Sequence, residues 1–322
     1  RCNITNLNID PHRYVCTEKT FVPEVLGRFR NNFLVDHLAG LGVFTYATAD
    51  GWVDPISTSA ANVTSLLYTD LKAAGVKLHL GENVKDIRPV NGRFAVTSGQ
   101  AAQALFFDRL VIASGGKAYP ALGSDGSIFP ILSALGHTIL PIRPALAPLE
   151  TDTQPIRKLQ GVRLDAGVKI FLGKKMLDQT VGNIIFTEWG INGPGVMDLS
   201  HLAACHSGAD MTVVLNFLDS RENLLNRLLE EDRFKAIPFS ALLGSMLPGK
   251  LVRKGFLDLN LPLEGTLENL GQKNIARLLD MLTQFRIKVK GTRGFEFSQA
   301  STGGVSPNQV DPATLQSTMQ PG

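Results

Sequence analysis

The stretch Asp108-Arg-Leu-Val-Ile-Ala-Ser-Gly-Gly-Lys-Ala-Tyr-Pro-Ala-Leu-Gly-Ser-Asp-Gly126 narrows the possible folds more than any other, because a short apolar run ends abruptly in two glycines. Leu110 to Ala113 is continuously apolar and carries β-branched Val111 and Ile112, the pattern of a strand covered on both faces. Gly115 and Gly116 lack a Cβ, so the backbone there can take a positive φ and let a bulky group approach the main chain. In open α/β sheets the ligand crevice lies at the carboxyl ends of the strands, which is where a nucleotide cofactor would sit. An ordinary strand-to-loop turn carries the same local signature, so context has to decide.

The segments on either side supply that context. Val63, Leu66, Leu67, Leu71 and Ala74 fall on one helical face between Ser59 and Gly75, and Gly75 is placed to end that helix. Val76-Lys-Leu-His-Leu80 alternates as a half-buried strand should. Asn91-Gly92 separates Val84–Val90 from Arg93–Thr97 and predicts a tight hairpin. Ala104–Phe107 then leads into the Leu110 strand. Beyond Gly126 the spacing predicts a short helix over Ser127–Leu135, closed by Gly136. Pro141, Pro144, Pro148 and Pro155 mark a change of composition. Strand-like pieces follow at Val168–Leu172, Asn183–Thr187 and Met211–Leu215, and a helix is expected from Val196 to Ala204 after the turn Asn192-Gly193-Pro194. From Arg221 to about Phe285 the pattern is helical. The chain thus reads as α/β with a β-rich segment and a helical segment inserted.

Composition excludes several function classes. With 44% hydrophobic and 19% charged residues the chain is globular. Its Lys and Arg are scattered, with no basic stripe interleaved with aromatics, and this predicts no nucleic-acid partner. No apolar run approaches the roughly 18 residues that cross a bilayer, so no membrane association is expected. Cys2, Cys16 and Cys205 lack metal-binding spacing; they predict no metal and fit a reducing cytoplasm. The first residue is Arg1 rather than Met, as expected of a piece of a longer product.

Arg1-Cys-Asn-Ile-Thr-Asn6, Ala113-Ser-Gly-Gly-Lys-Ala-Tyr-Pro120 with Gly123-Ser-Asp-Gly126, Gly136-His-Thr138, Phe186-Thr-Glu-Trp-Gly-Ile-Asn-Gly-Pro194 and Ser301-Thr-Gly-Gly-Val305 occur in an order that resembles the BaiN/YhiN-like FAD-dependent oxidoreductases. Aminoacetone-oxidase-like flavoproteins belong to the same group. The resemblance implies a glutathione-reductase-type, Rossmann-like FAD-binding domain at 1–140, a β-rich inserted domain at 141–219, a helical domain at 220–290, and a return to the FAD-binding domain at 291–322. It also implies truncation at both ends. The βαβ unit with a GxGxxG-type turn that would hold the FAD pyrophosphate is not in this sequence, so little FAD is expected to stay with the chain alone.

Residue roles implied by the resemblance follow its motifs. Arg1, Asn3 and Thr5 are candidate FAD contacts, or a polar loop capping its own backbone. Ala113, Ser114 and Gly115 would pass backbone against the cofactor, Val84 would contact adenine unless it is a simple core valine, and Thr302, Gly303 and Gly304 would lie near the isoalloxazine ring or form an ordinary turn. Tyr119, Lys117 and Glu188 are candidates to move a substrate proton, although relatives often carry histidine where Glu188 stands. Cys2 is read as structural rather than redox-active, and His137 as a solvated or helix-capping side chain. The implied activity is hydride transfer between flavin and a small organic molecule, with NAD(P)H as candidate reductant. Oxidation of an amine by oxygen, a non-catalytic flavin-binding scaffold and an inactive fragment remain open alternatives.

Overall fold

Local signals of capping and turn chemistry are followed closely in the first of two units into which the chain divides. A computed structural model describes residues 3–99 and 103–320. The first unit is drawn from Arg1–Ile112, Ile128–Leu140 and Val305–Gly322. It holds α1 (Phe21–Arg28), α2 (Asn31–Gly40), α3 (Ala60–Ala73) and α4 (Ile128–Ala134). Ser59 begins α3 by accepting the Asn62 amide on its hydroxyl at 3.3 Å, which satisfies a first-turn donor that has no helical partner. Gly75, at φ +74°, lets the chain leave the other end. The buried side of α3, at Val63, meets Leu38 of α2 and Val43 in a small core.

Strands β1 (Thr5–Asn6), β2 (Thr45–Ala47) and β3 (Trp52–Pro55) form one small sheet in the order β1-β3-β2. A second contains β4 (Val84–Val90), β5 (Arg93–Ser98) and β6 (Leu105–Phe107) as an antiparallel meander. Its hairpin turns at Asn91 and Gly92, whose φ values of +50° and +74° match the right-handed twist of the flanking strands.

Two expected strands do not form. Val76–Leu80 and Leu110–Ala113 carry no ladder, and Val111 is 85% and Leu80 72% exposed. Their apolar pattern suits a buried strand, but a strand also needs a neighbour to share its hydrogen bonds. Among the described residues neither segment has one. His137 is also not solvated. It is buried, with Nε2 3.1 Å from the Ser317 hydroxyl.

The second unit comprises Ala113–Ser127 and Pro141–Gly304. Strand β7 (Ile139–Ala145) leads into it. Strands β8 (Leu149–Thr151), β9 (Arg163–Leu172), β10 (Lys175–Phe186), β11 (Gly190–Asn192), β12 (Met211–Asn216) and β13 (Phe285–Thr292) close a barrel in the order β10-β11-β8-β13-β12-β9. Strand β14 (Ala300–Val305) pairs with β7. Gly193 at φ +101° turns the chain after β11, and a Cβ there would collide with the Asn183 carbonyl oxygen. Pro194 then opens α5 (Pro194–Met197), and the helix expected over 196–204 is broken at Asp198–Leu199 before α6 (Ser200–Cys205).

Helices α7 (Glu222–Glu230), α8 (Phe239–Gly244), α9 (Gly249–Asp258) and α10 (Leu267–Thr283) occupy the helical segment. They share one core with the barrel: Phe239, Leu251, Phe256 and Leu278 are buried in the same cluster as Ile170, Ile184 and Phe217. The segments read as separate inserted domains at 141–219 and 220–290 therefore lie in one unit, and β13 crosses that boundary by closing the barrel. Phe217 sits at the junction, with its ring centroid 6.1 Å from Phe186 and 5.3 Å from Phe285, and its amide donates to Leu282 O at 2.9 Å.

Among the described residues no helix is long and apolar enough to cross a membrane. Replacing Phe217 by Ala is expected to cost about 3–5 kcal/mol in urea unfolding, as a cavity in a close-packed core does. Val111→Ser should change stability by no more than about 0.5 kcal/mol. A large loss from Val111→Ser would mean that the 110–113 run is buried after all.

Candidate functional site

The glycine pair and the Thr302 turn are brought together by two serines of the second unit. Gly115 takes φ +74°, and a Cβ on it would stand 2.7 Å from the Ser124 hydroxyl. A Cβ on Gly116 would overlap the Ser301 hydroxyl. Each glycine therefore gives room to one of the protein's own serine hydroxyls, which would have to turn away from a larger residue. Ser301 Oγ accepts from the Lys117 amide at 3.2 Å, and the Ser124 hydroxyl donates to Ser114 O at 3.4 Å. The loop is pinned again where the Tyr119 amide donates to Phe295 O at 2.9 Å. Next to Ser301, the Thr302 hydroxyl reaches Arg143 O at 3.5 Å, and Gly303 and Gly304 take φ values of +80° and +104°.

What this pinning leaves open is a row of main-chain donors. The amides of Ala113, Ser114, Gly115 and Gly116 have no partner among the described residues, and Ala113, Ser114 and Gly115 are exposed. Successive free N–H groups form a surface suited to carbonyl or phosphate oxygens. Close by in sequence, Asp125 is held below its ordinary pKa, first by the Ser127 hydroxyl and then by the Ser127 amide at 2.9 Å. The Lys117 charge adds to this, so the loop keeps an ionised carboxylate.

Aromatic rings fix the segment after β13. The Arg293 guanidinium lies between Trp189, 4.5 Å from its ring centroid, and Phe297, at 4.1 Å. The Arg293 amide donates to Pro148 O at 2.9 Å, and its Nε is 3.8 Å from Glu150. Lys117 Nζ lies 5.0 Å from the centre of the Phe295 ring. A planar cation between two rings holds three pieces of chain in register, here the turn after β10, the end of β13 and the Phe297 turn. Of the proton-transfer candidates, Lys117 and Tyr119 share the glycine loop, whereas Glu188 is exposed on the turn that carries Trp189.

The remaining candidates belong to the first unit. Asn3 donates through Nδ2 to Thr5 O at 3.3 Å, a local contact, and Thr5 pairs with Val53 in the small sheet. Val84 opens β4 opposite Ser98 in the other sheet, at a bulge, and is half-buried. The structure joins Asn3 to Thr5 but not to Val84. Arg1 and Cys2 lie outside the described residues. Among the described residues Cys16 and Cys205 are free, and no cluster of His, Cys, Asp or Glu suits a metal ion. Arg293 escaped the sequence analysis because its aromatic partners are distant in the chain. Ser301 adjoins the Thr302-Gly-Gly motif, and that adjacency was the available signal.

Comparison with known proteins adds a lineage to this geometry. The model of the family described as HI0933-like protein Rossmann domain matches residues 1–322. The chain is 31% identical over 323 residues to the 3-dehydro-bile acid delta(4,6)-reductase of Clostridium scindens, covering 98% of this chain and 78% of that protein. It is also similar to the ribosomal RNA dihydrouridine synthases of Escherichia coli, at 25% identity, and Haemophilus influenzae, at 23%, each over the whole of this chain and 78% and 79% of theirs.

Gly116→Ala should force the Ser301 side chain to rotate and release the Lys117 amide, at a cost of about 1 kcal/mol. Once Ser301→Ala has removed the hydroxyl, adding Gly116→Ala should cost little more, and a double-mutant cycle in urea reads that coupling. Strict additivity would show that the two residues do not meet.

Proposed function

The chain belongs to the HI0933-like Rossmann-domain family, whose members are FAD-binding flavin oxidoreductases, and from that premise we propose that it carries hydride from NAD(P)H to a carbon–carbon double bond conjugated with a carbonyl group. The observation that carries this reading is the row of open amides at residues 113–116, pinned beside the Thr302–Gly304 turn. Such a row fits the oxygen-rich edge of FAD. We assign Ala113, Ser114 and Gly115 to backbone contact with it, and the Thr302-Gly303-Gly304 turn to the ring, in a glutathione-reductase-type arrangement. The bound flavin supplies a hydride carrier at N5.

The direction of the chemistry is supported by the relatives' names. One relative is named a reductase and the others for making a dihydro product, and both names are in keeping with the addition of hydrogen to an unsaturated substrate. Reduction of that kind needs hydride at the carbon β to the carbonyl and a proton at the α carbon. Lys117 and Tyr119 stand on the loop that presents the open amides, and they are the side chains we assign to deliver the proton.

Protein reconstituted with FAD and mixed anaerobically with NADPH should lose its visible flavin band, and a conjugated enone should restore it. Lys117→Ala and Tyr119→Phe should slow the restoring step roughly 10²-fold or more if either is the proton donor, while leaving bleaching by NADPH intact. A flavin that amines bleach and NADPH does not would make the protein an amine oxidase instead.

A further inference from the structure

Phe295 meets the glycine loop through two of its parts. Its carbonyl oxygen accepts the Tyr119 amide at 2.9 Å, and the centre of its ring lies 5.0 Å from Lys117 Nζ. One residue of the turn after β13 therefore contacts both residues assigned above to proton delivery. The contact with Tyr119 bears on a strained position. Tyr119 takes φ +55° and ψ +59°, left-handed backbone that a bulky residue seldom adopts without neighbours to hold it. The Phe295 carbonyl is such a neighbour.

The turn itself is held on both sides. Before Phe295, Arg293 is clamped between Trp189 and Phe297. After it, Ser298 is fully buried and donates its hydroxyl to Phe295 O at 3.0 Å, and the Gln299 amide donates to Leu146 O at 3.1 Å. The half-buried ring thus stands at a fixed place beside a lysine on exposed chain.

A ring face does something for an ammonium group that a carboxylate does not. A carboxylate accepts hydrogen bonds from the N–H groups and so competes for the proton that a substrate needs. The ring attracts the charge and leaves the N–H bonds free. Lys117 shows the second arrangement. Among the described residues its Nζ makes no ion pair and no hydrogen bond, and Asp125 acts on it only from longer range. A lysine stem is long and flexible, so an attraction that favours one arrangement shortens the search for the productive one.

We propose that Phe295 is the positioning residue for proton delivery: its ring face holds the Lys117 ammonium at the glycine loop with the N–H bonds unused. In the step it serves, an Nζ–H bond breaks as the new bond from hydrogen to the α carbon forms, and water returns a proton to the amine. The proposal rests on the reading of Lys117 as donor and adds what aims it.

Two variants separate the ring face from the turn. Phe295→Leu removes the face but keeps the carbonyl and much of the apolar volume, and Phe295→Tyr keeps the face. The first measurement needs neither cofactor nor turnover. Protons over a ring face resonate upfield, so in protein labelled with 13C-lysine the Lys117 ε-methylene signal, assigned by its loss in Lys117→Ala, should lie upfield of the other lysines. It should return to their position in Phe295→Leu and stay shifted in Phe295→Tyr.

The second measurement is the enone step of the FAD-loaded protein, expressed relative to bleaching by NADPH in the same sample. Phe295→Leu should lower that ratio roughly 5- to 30-fold, through kcat rather than the enone KM, and Phe295→Tyr should retain it. Added to Lys117→Ala, Phe295→Leu should lower it no further, because its effect passes through the ammonium. An unshifted Lys117 signal, equal ratios in Phe295→Leu and Phe295→Tyr, or the same loss with and without Lys117 overturns the proposal; a slow enone step in Lys117→Ala then leaves the donor reading standing. An enone step unchanged in Lys117→Ala removes Lys117 as donor, and the proposal falls with it.

Discussion

Closure of the barrel by β13 is the constraint on which the second unit depends. This strand pairs with β12 from Met211 opposite Val289 to Leu215 opposite Phe285, and with β8 from Val289 opposite Thr151 to Thr292 opposite Leu149. Without it, β12 and β8 would both present open edges. Its side chains alternate, with Phe285, Ile287 and Val289 buried and Arg286, Lys288 and Lys290 exposed, so one face completes the core while the other meets water. Everything downstream inherits that position. Arg293 follows the last barrel residue directly and is caught between Trp189 and Phe297, Phe295 receives the Tyr119 amide, and Ser301 receives the Lys117 amide.

The glycine pair looks different in this light. From sequence, Gly115 and Gly116 are places where a ligand can approach the main chain. In the structure, the space beside each is taken by a serine hydroxyl, and the exposed feature is the line of amides that these serines leave unpaired. The backbone offers hydrogen bonds rather than clearance, and polar cofactor oxygens are the groups such donors recruit. Hydride chemistry asks little more of a protein than orientation and a proton source, so a catalytic triad is not needed at this site.

What could be read in advance was what depends on neighbours in sequence. Ser59 and Gly75 delimit α3, Asn91-Gly92 makes its hairpin, and Gly193-Pro194 turns into a helix, because capping and positive φ are decided within a few residues. Leu110–Ala113 shows the limit of that reading. An apolar run states what it would bury, while a ladder depends on a partner elsewhere in the chain, and among the described residues none pairs with it. The Arg293 sandwich and the meeting of Phe295 with Lys117 were invisible for the same reason, since each joins segments that only tertiary structure makes adjacent.

The central claim, that a loop pinned by Ser301 and Ser124 offers its open amides to the flavin, is tested most directly by hydrogen exchange across residues 113–117 with and without saturating FAD. In the free protein the Lys117 amide should be protected and the amides of 113–116 should exchange as unstructured backbone does. FAD should slow those amides. Amides at 113–116 already protected without FAD, or protection by FAD confined to other segments, would contradict the account.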